Sequence, residues 1–217
     1  MASPSSCSAR VAIDAFGEAQ TSLNYLSDAR DKVRKDPSKT QANQILIVAA
    51  EAERLQERMT RKMQLAFKTL TDGIAHIEKG LNETLTARAD TTLSREVREH
   101  CANLPKEKRH GFLETALKEN DLPTLHAILG AQPFLSGIAP ETRAHFTRAL
   151  REKTDPALAL RVKVMKRALD LVGKNGPLVL TETIKIQGAD WPMVNKLRNA
   201  KNAADQALLL INNPVQS

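Results

Sequence analysis

The sequence predicts an all-α protein, with a long antiparallel helical hairpin followed by a bundle of shorter helices. Aromatic residues make up only 3 % of the 217 residues, so aliphatic side chains and methionine must build the core. The many Ala, Leu, Lys, Arg and Glu residues favour helix over strand. Apolar residues also recur every three or four positions along most of the chain, which is the helical period.

The first segment, residues 8–36, has apolar residues at helical spacing: Ile13, Phe16, Leu23, Leu26 and Val33. The helix should end before Pro37, because proline disfavours the helical conformation in the residue before it. Ser38 or Thr40 can then cap a new helix. The short connection predicts that the second helix runs antiparallel to the first.

The second segment carries the clearest pattern of the chain, a single apolar stripe with an average step of about 3.6 residues, the period of a straight helix. It predicts one continuous helix over residues 40–85, antiparallel to residues 9–35. Glycine costs about 1 kcal/mol against alanine in a helix, so Gly73 and Gly80 are its weak points. The stripe consists of Ile45, Val48, Ala52, Leu55, Met59, Met63, Ala66, Leu70, Ile74, Ile77, Leu81 and Leu85.

This stripe is longer than the first helix can cover. Either the C-terminal part of the chain folds back over it or other subunits cover it, as in many long amphipathic hairpins. We expect the stripe to be incompletely covered within one chain, so that it binds a second copy or another protein. The candidate protein interface is Leu55, Met59, Met63, Leu70, Ile74 and Ile77.

Shorter helices are expected over residues 93–104, 106–120, 122–130, 140–154 and 158–172, with an apolar turn at 133–138. Gly173 and the pair Gly176-Pro177 should interrupt the chain after the last of these. Residues 178–186 fit a strand or a short helix, and the helical context favours helix. Asp190 can cap a final helix over 191–210. The expected domains are a coiled-coil-like hairpin, 1–92, and a basic helical domain, 93–217.

The net charge of +7 is concentrated near the C-terminus. Residues 141–217 hold 13 Lys and Arg against 7 Asp and Glu. Such an excess suits nucleic acid or an acidic protein surface, and the alternative is a solvated helix face. Residues 178–201 also resemble a helix-turn-helix in outline, although Ile184 stands where a small residue is usual. The candidate contact residues are Lys163, Lys166, Arg167, Lys196, Arg198 and Lys201.

Catalytic, metal and cofactor residues are not expected. The five histidines lack the spacing of a zinc site, and the residues 173–176 lack the spacing of a phosphate-binding loop. We therefore expect a protein that is not an enzyme and that binds no cofactor or small-molecule substrate. No apolar run reaches the length of a membrane span, and the N-terminus lacks a secretory signal. Cys7 and Cys101 are expected to be two free thiols rather than a disulfide.

Residues 117–138, LKENDLPTLHAILGAQPFLSGI, resemble a pattern in poorly characterised bacteriophage proteins. The sequences APE at 139–141 and GADW at 188–191 are similar to it too, and the resemblance covers about half the chain, from about residue 95 onward. It implies a small virion or assembly component, and it implies no catalytic residue.

Together these features predict a structural component of a phage particle, in the head, the neck or an internal layer, acting through protein–protein contacts. Its partners would be other virion proteins, itself and, for the basic third, packaged DNA. It would occur in the virion, and in the host cytoplasm during assembly. The first alternative is a DNA-binding or DNA-packaging factor that uses residues 178–201, and the second is an assembly scaffold or chaperone.

Overall fold

A computed structural model of the chain describes residues 4–89 and 92–212, and within these ranges it contains helices and no strand. The predicted all-α class is confirmed. The helices are α1 Pro4–Arg34, α2 Gln41–Arg88, α3 Thr92–Asn103, α4 Lys106–Glu119, α5 Leu122–Leu129, α6 Pro133–Ser136, α7 Pro140–Thr154, α8 Pro156–Gln187 and α9 Trp191–Asn212.

The chain divides into two compact units. The first comprises the described residues of Met1–Thr69 and Ala168–Ser217, and the second is formed from Leu70–Arg167. These units differ from the expected division at residue 92. The physical reason is that the two longest helices, α2 and α8, each contribute to both units, so neither the hairpin nor the C-terminal part is a domain by itself.

In the first unit, α1 and α2 form the predicted antiparallel hairpin. Ser22 Oγ of α1 accepts a hydrogen bond from Arg58 Nη2 of α2 (3.1 Å), and Lys62, one turn further along α2, forms an ion pair with Glu18, one turn back along α1. At the connection, Gln44 Nε2 donates to the carbonyl of Asp36 (3.1 Å). Contacts that move forward along one helix and back along the other define an antiparallel pair.

The buried face of α1 differs from the expected one. Ile13 is 70 % exposed, although its spacing placed it among the core residues. Small side chains are buried on α1 instead, and Ala49 and Ala52 of α2 are also fully buried. Small residues let two helices approach closely, so the apolar pattern of the larger side chains did not mark this interface. The buried residues of α1 are Ala12, Ala15, Ala19, Ser22 and Leu26.

The long helix α2 runs without a break from Gln41 to Arg88, across both of its glycines, as predicted. The expectation that its stripe is left uncovered within one chain is wrong. The C-terminal part of the chain folds back over it: Val172 and Val179 of α8 line a groove with Met59 and Met63. The six candidate interface residues are at most 9 % exposed: Leu55, Met59, Met63, Leu70, Ile74 and Ile77.

Helix α8 is continuous through Gly173, Gly176 and Pro177, where a break was expected. Proline in a helix interior removes one backbone hydrogen bond and costs about 3 kcal/mol. Here packing overrides that local preference. A Cβ atom added at Gly173 would lie 3.9 Å from Phe67, and one at Gly176 would lie 3.9 Å from Met63. Both glycines therefore lie beside side chains of α2, and residues 178–186 are helical rather than extended.

The second unit has its core around α5, whose residues are buried on almost every side. Both of its ends are capped: Asp121 accepts from the backbone N–H of Thr124 (3.1 Å), and Gly130 ends the helix. The expected apolar turn at 133–138 contains a single helical turn, α6. The core residues are Leu85, Cys101, Leu113, Ala116, Leu125, Ile128, Leu129, Ile138, Phe146 and Leu150.

Candidate functional site

The second unit contains a cleft of about 680 Å³ between the end of α2, α7 and the beginning of α8. Phe146 and Leu150 of α7 are buried in the core of the unit. The helical period therefore places the polar residues of α7 on its other faces, toward the cleft and the solvent. Apolar side chains also line the cleft: Leu81, Ala144, Ala159 and Val162.

Basic side chains outnumber acidic ones in this cleft by five to two, for a net formal charge of +3. Three of the basic residues lie on α7 and two on α8. Glu78, one of the two acidic residues, already forms an ion pair with Lys166 (2.7 Å). Glu152 is the other. The basic residues are Arg143, Arg148, Arg151, Lys163 and Lys166.

Arg151 is a half-buried cation whose N–H groups are only partly satisfied. Its side chain is half-buried, and its Nη2 donates to Asn82 Oδ1 (2.8 Å). Its Nε is buried without a hydrogen-bond partner, and among the described residues it forms no ion pair. Burial lowers the pKa of Arg151, Glu78 raises it, and the nearby Arg143 lowers it again. The guanidinium of Arg151 is therefore partly shielded from solvent, and no carboxylate of the described residues forms an ion pair with it.

Arg143 is fixed in position by the backbone. Its Nε donates to the carbonyl of Leu129 at the end of α5 (2.9 Å). A helix C-terminus leaves its last carbonyls without internal partners, so this bond satisfies one of them. The bond uses one of the five N–H groups of the guanidinium.

The structure brings together two of the six basic residues selected from the sequence. Lys163 and Lys166 line the cleft, whereas Arg167 of α8 does not. Lys196, Arg198 and Lys201 lie on α9, in the other unit. Arg198 forms an ion pair with Glu53 (2.9 Å), while Lys196 and Lys201 are exposed.

The three arginines of α7 were counted in the basic third of the sequence but were not selected. A signal was present: Phe146 and Leu150 are apolar and four residues apart, which marks the inward face of α7. Arg143, Arg148 and Arg151 then lie on the other faces of the helix. Which face would meet another helix depends on tertiary packing, which the pattern of one helix does not reveal.

Other candidate groups do not assemble into a site. Cys101 is a free thiol buried in the core, and burial raises its pKa. The side chain of Cys7 lies outside the described residues. His110 and His145 stack with ring centroids 6.3 Å apart. Across residues 4–89 and 92–212, no three His, Cys, Asp or Glu side chains are grouped to hold a metal ion. None of the helices there is both long and apolar enough to cross a membrane.

Comparisons with protein-family models, with curated proteins and with solved structures found no match to this chain.

Proposed function

We propose that this protein is a structural component of a bacteriophage particle, in the head, the neck or an internal layer, and that it acts by binding other particle proteins. The basic cleft of the second unit carries the binding part of this proposal, because its partly desolvated guanidinium groups lack carboxylate partners of their own. The particle context rests on the resemblance of residues 117–138 to phage proteins.

The proposal describes a binding protein rather than an enzyme. The apolar stripe of α2 is buried within the chain, so contacts with other proteins must use other surfaces. The cleft is the best supported of these, since its charge, its shape and its incomplete hydrogen bonding favour a negatively charged partner. Self-association through the stripe of α2 is not part of the proposal.

A DNA-binding role for residues 178–201 has less support. The first helix of the supposed motif is the end of the 32-residue α8 rather than a separate short helix. Of the basic residues that would reach phosphates, Arg198 is neutralised by Glu53. The six candidates are also distributed over two units. Lys196 and Lys201 stay exposed and could contribute nonspecific contacts, so this alternative is kept as an outcome of the tests.

Mass spectrometry of purified particles of the encoding phage tests the proposal. We expect the protein in mature particles at a fixed copy number. Presence in immature shells with absence from mature particles would favour the scaffold alternative. Absence from both would reject a particle component of either kind.

A further inference from the structure

We propose that the cleft between α2, α7 and α8 binds an acidic segment of a partner protein, one that carries both carboxylate and apolar side chains. This inference rests on the proposed function, since it names the chemistry of the particle protein that would be bound. Three properties of the cleft support it: its charge, the state of its guanidinium groups and its apolar lining.

The positive charges of the cleft exceed the negative charges that line it. Five basic and two acidic side chains line it, and Lys166 already pairs with Glu78 at 2.7 Å. Lys163 and Arg148 are exposed, and among the described residues neither forms an ion pair. A cleft lined mainly by charges of one sign concentrates the electrostatic field and attracts ligands of the opposite charge. The ligand is therefore an anion.

The guanidinium groups favour a carboxylate. The N–H groups of arginine match the two oxygens of a carboxylate, with which they form paired hydrogen bonds. Arg143 is held by the Leu129 carbonyl and Arg151 by Asn82 Oδ1, so both are positioned before a ligand arrives. Positioning in advance lowers the entropy cost of binding. A bound carboxylate would also compensate the charge of Arg151.

The lining and the position of the arginines favour a peptide over duplex DNA. Leu81, Ala159 and Val162 give the cleft an apolar lining, which a sugar–phosphate backbone would not use. Arg143 and Arg151 are half-buried. A side-chain carboxylate can reach such a recessed group, whereas a duplex presents its phosphates on a convex surface and binds exposed basic residues. The cleft volume of about 680 Å³ also lies in the range of ligand pockets.

Fluorescence anisotropy on the full chain tests this inference. The probe is a labelled synthetic peptide with glutamate and leucine at helical spacing, and the comparison peptide has glutamine at every glutamate position. A labelled duplex DNA of mixed sequence is the third ligand. We expect the glutamate peptide to bind at low salt, to bind less well as salt rises, and to bind at least about tenfold tighter than the glutamine peptide.

Charge reversals locate the binding. The double variant Arg148→Glu with Lys163→Glu changes two exposed cleft residues, and Lys106→Glu with Lys108→Glu makes the same charge change on exposed positions of α4. We expect the cleft variant to lose at least about tenfold in affinity and the α4 variant to lose less than about twofold. Arg151→Gln should also weaken binding. Thermal unfolding of each variant verifies that the chain is folded.

Four results would overturn the inference: no binding of the glutamate peptide, equal binding of the two peptides, equal effects of the two double variants, or tighter binding of duplex DNA through the same cleft residues. The last would assign the cleft to phosphate. The proposed function fails separately, if the protein is missing from particles while the isolated chain still binds the glutamate peptide through the cleft.

Discussion

The guanidinium of Arg109 donates a hydrogen bond to the backbone carbonyl of Gly137, where Gly137 has a φ of 64°. The same side chain donates to the carbonyls of Leu104 (3.0 Å) and Ala102 (2.7 Å). One half-buried cation thus connects the end of α3 with the turn after α6. A Cβ atom at residue 137 would lie 2.6 Å from Arg109 Nη1, and this contact together with the positive φ favours glycine in the turn.

Gly137→Ala should lower the free energy of unfolding by about 2 kcal/mol. A left-handed conformation costs a residue with a Cβ atom roughly 1–2 kcal/mol, and the new methyl group also displaces Arg109. The matched control is Gly111→Ala in α4, where an added Cβ meets nothing within 4 Å. That change should raise stability by up to about 1 kcal/mol. Urea unfolding of both variants measures the difference, and equal effects would contradict the described turn.

Leu55→Asp should destabilise the folded chain rather than break up an oligomer. Leu55 is 5 % exposed, and an unpaired charge in a core is costly. Leu65 lies on the same helix and is 60 % exposed, so Leu65→Asp is the matched control and should have little effect. Thermal unfolding and light scattering together decide the matter. If the Leu55→Asp chain were folded and had a smaller mass in solution than the wild-type protein, the result would support the hypothesis that the stripe of α2 is an intermolecular interface.

Pro177→Ala should stabilise the protein, by as much as about 3 kcal/mol, because it restores a backbone hydrogen bond inside the continuous helix α8. Pro156→Ala is the control. Pro156 is the first residue of the same helix, where the missing N–H of proline has no intrahelical partner to lose. Chemical unfolding should therefore show a gain for the first change only. A loss of stability at Pro177, with less helix by circular dichroism, would indicate that α8 is interrupted there.

The DNA alternative predicts a particular dependence on salt. Each neutralised phosphate contributes about −0.9 to the log–log slope of affinity against salt. Replacing Lys196, Arg198 and Lys201 by alanine should then flatten the slope by at most about 3. Because Glu53 neutralises Arg198, adding Arg198→Ala to the two lysine changes should alter the slope least. Equal steps for all three residues, or a preference for one duplex sequence, would support the helix-turn-helix reading.

The sequence was sufficient for the local structure, because helix period and capping are local properties. The continuity of α2, the cap Asp190 and the antiparallel hairpin all followed from neighbouring residues. It was not sufficient where packing overrides local preference. Pro177 predicted a break that the contact of α8 with α2 removes, and Ile13 predicted a buried position that alanines occupy instead.

The candidate site shows the same limit. The basic third of the chain was evident from a count of charges, yet the residues chosen from it are divided between two units. Arg143 and Arg151 become a site only because α7 lies beside α2 and α8, which bring Asn82 and Lys166 to the same cleft. Those residues are far apart in the sequence, so no spacing rule joins them.

The most direct test of the account is the copy number of the protein in mature phage particles, measured by quantitative mass spectrometry after complementation. The wild-type chain and the Lys106→Glu, Lys108→Glu variant should be incorporated at the same fixed number. The Arg148→Glu, Lys163→Glu variant should be folded but incorporated at least about tenfold less. Normal incorporation of the cleft variant would contradict binding through the cleft, and absence of the wild-type chain from the particles would contradict the proposed function itself.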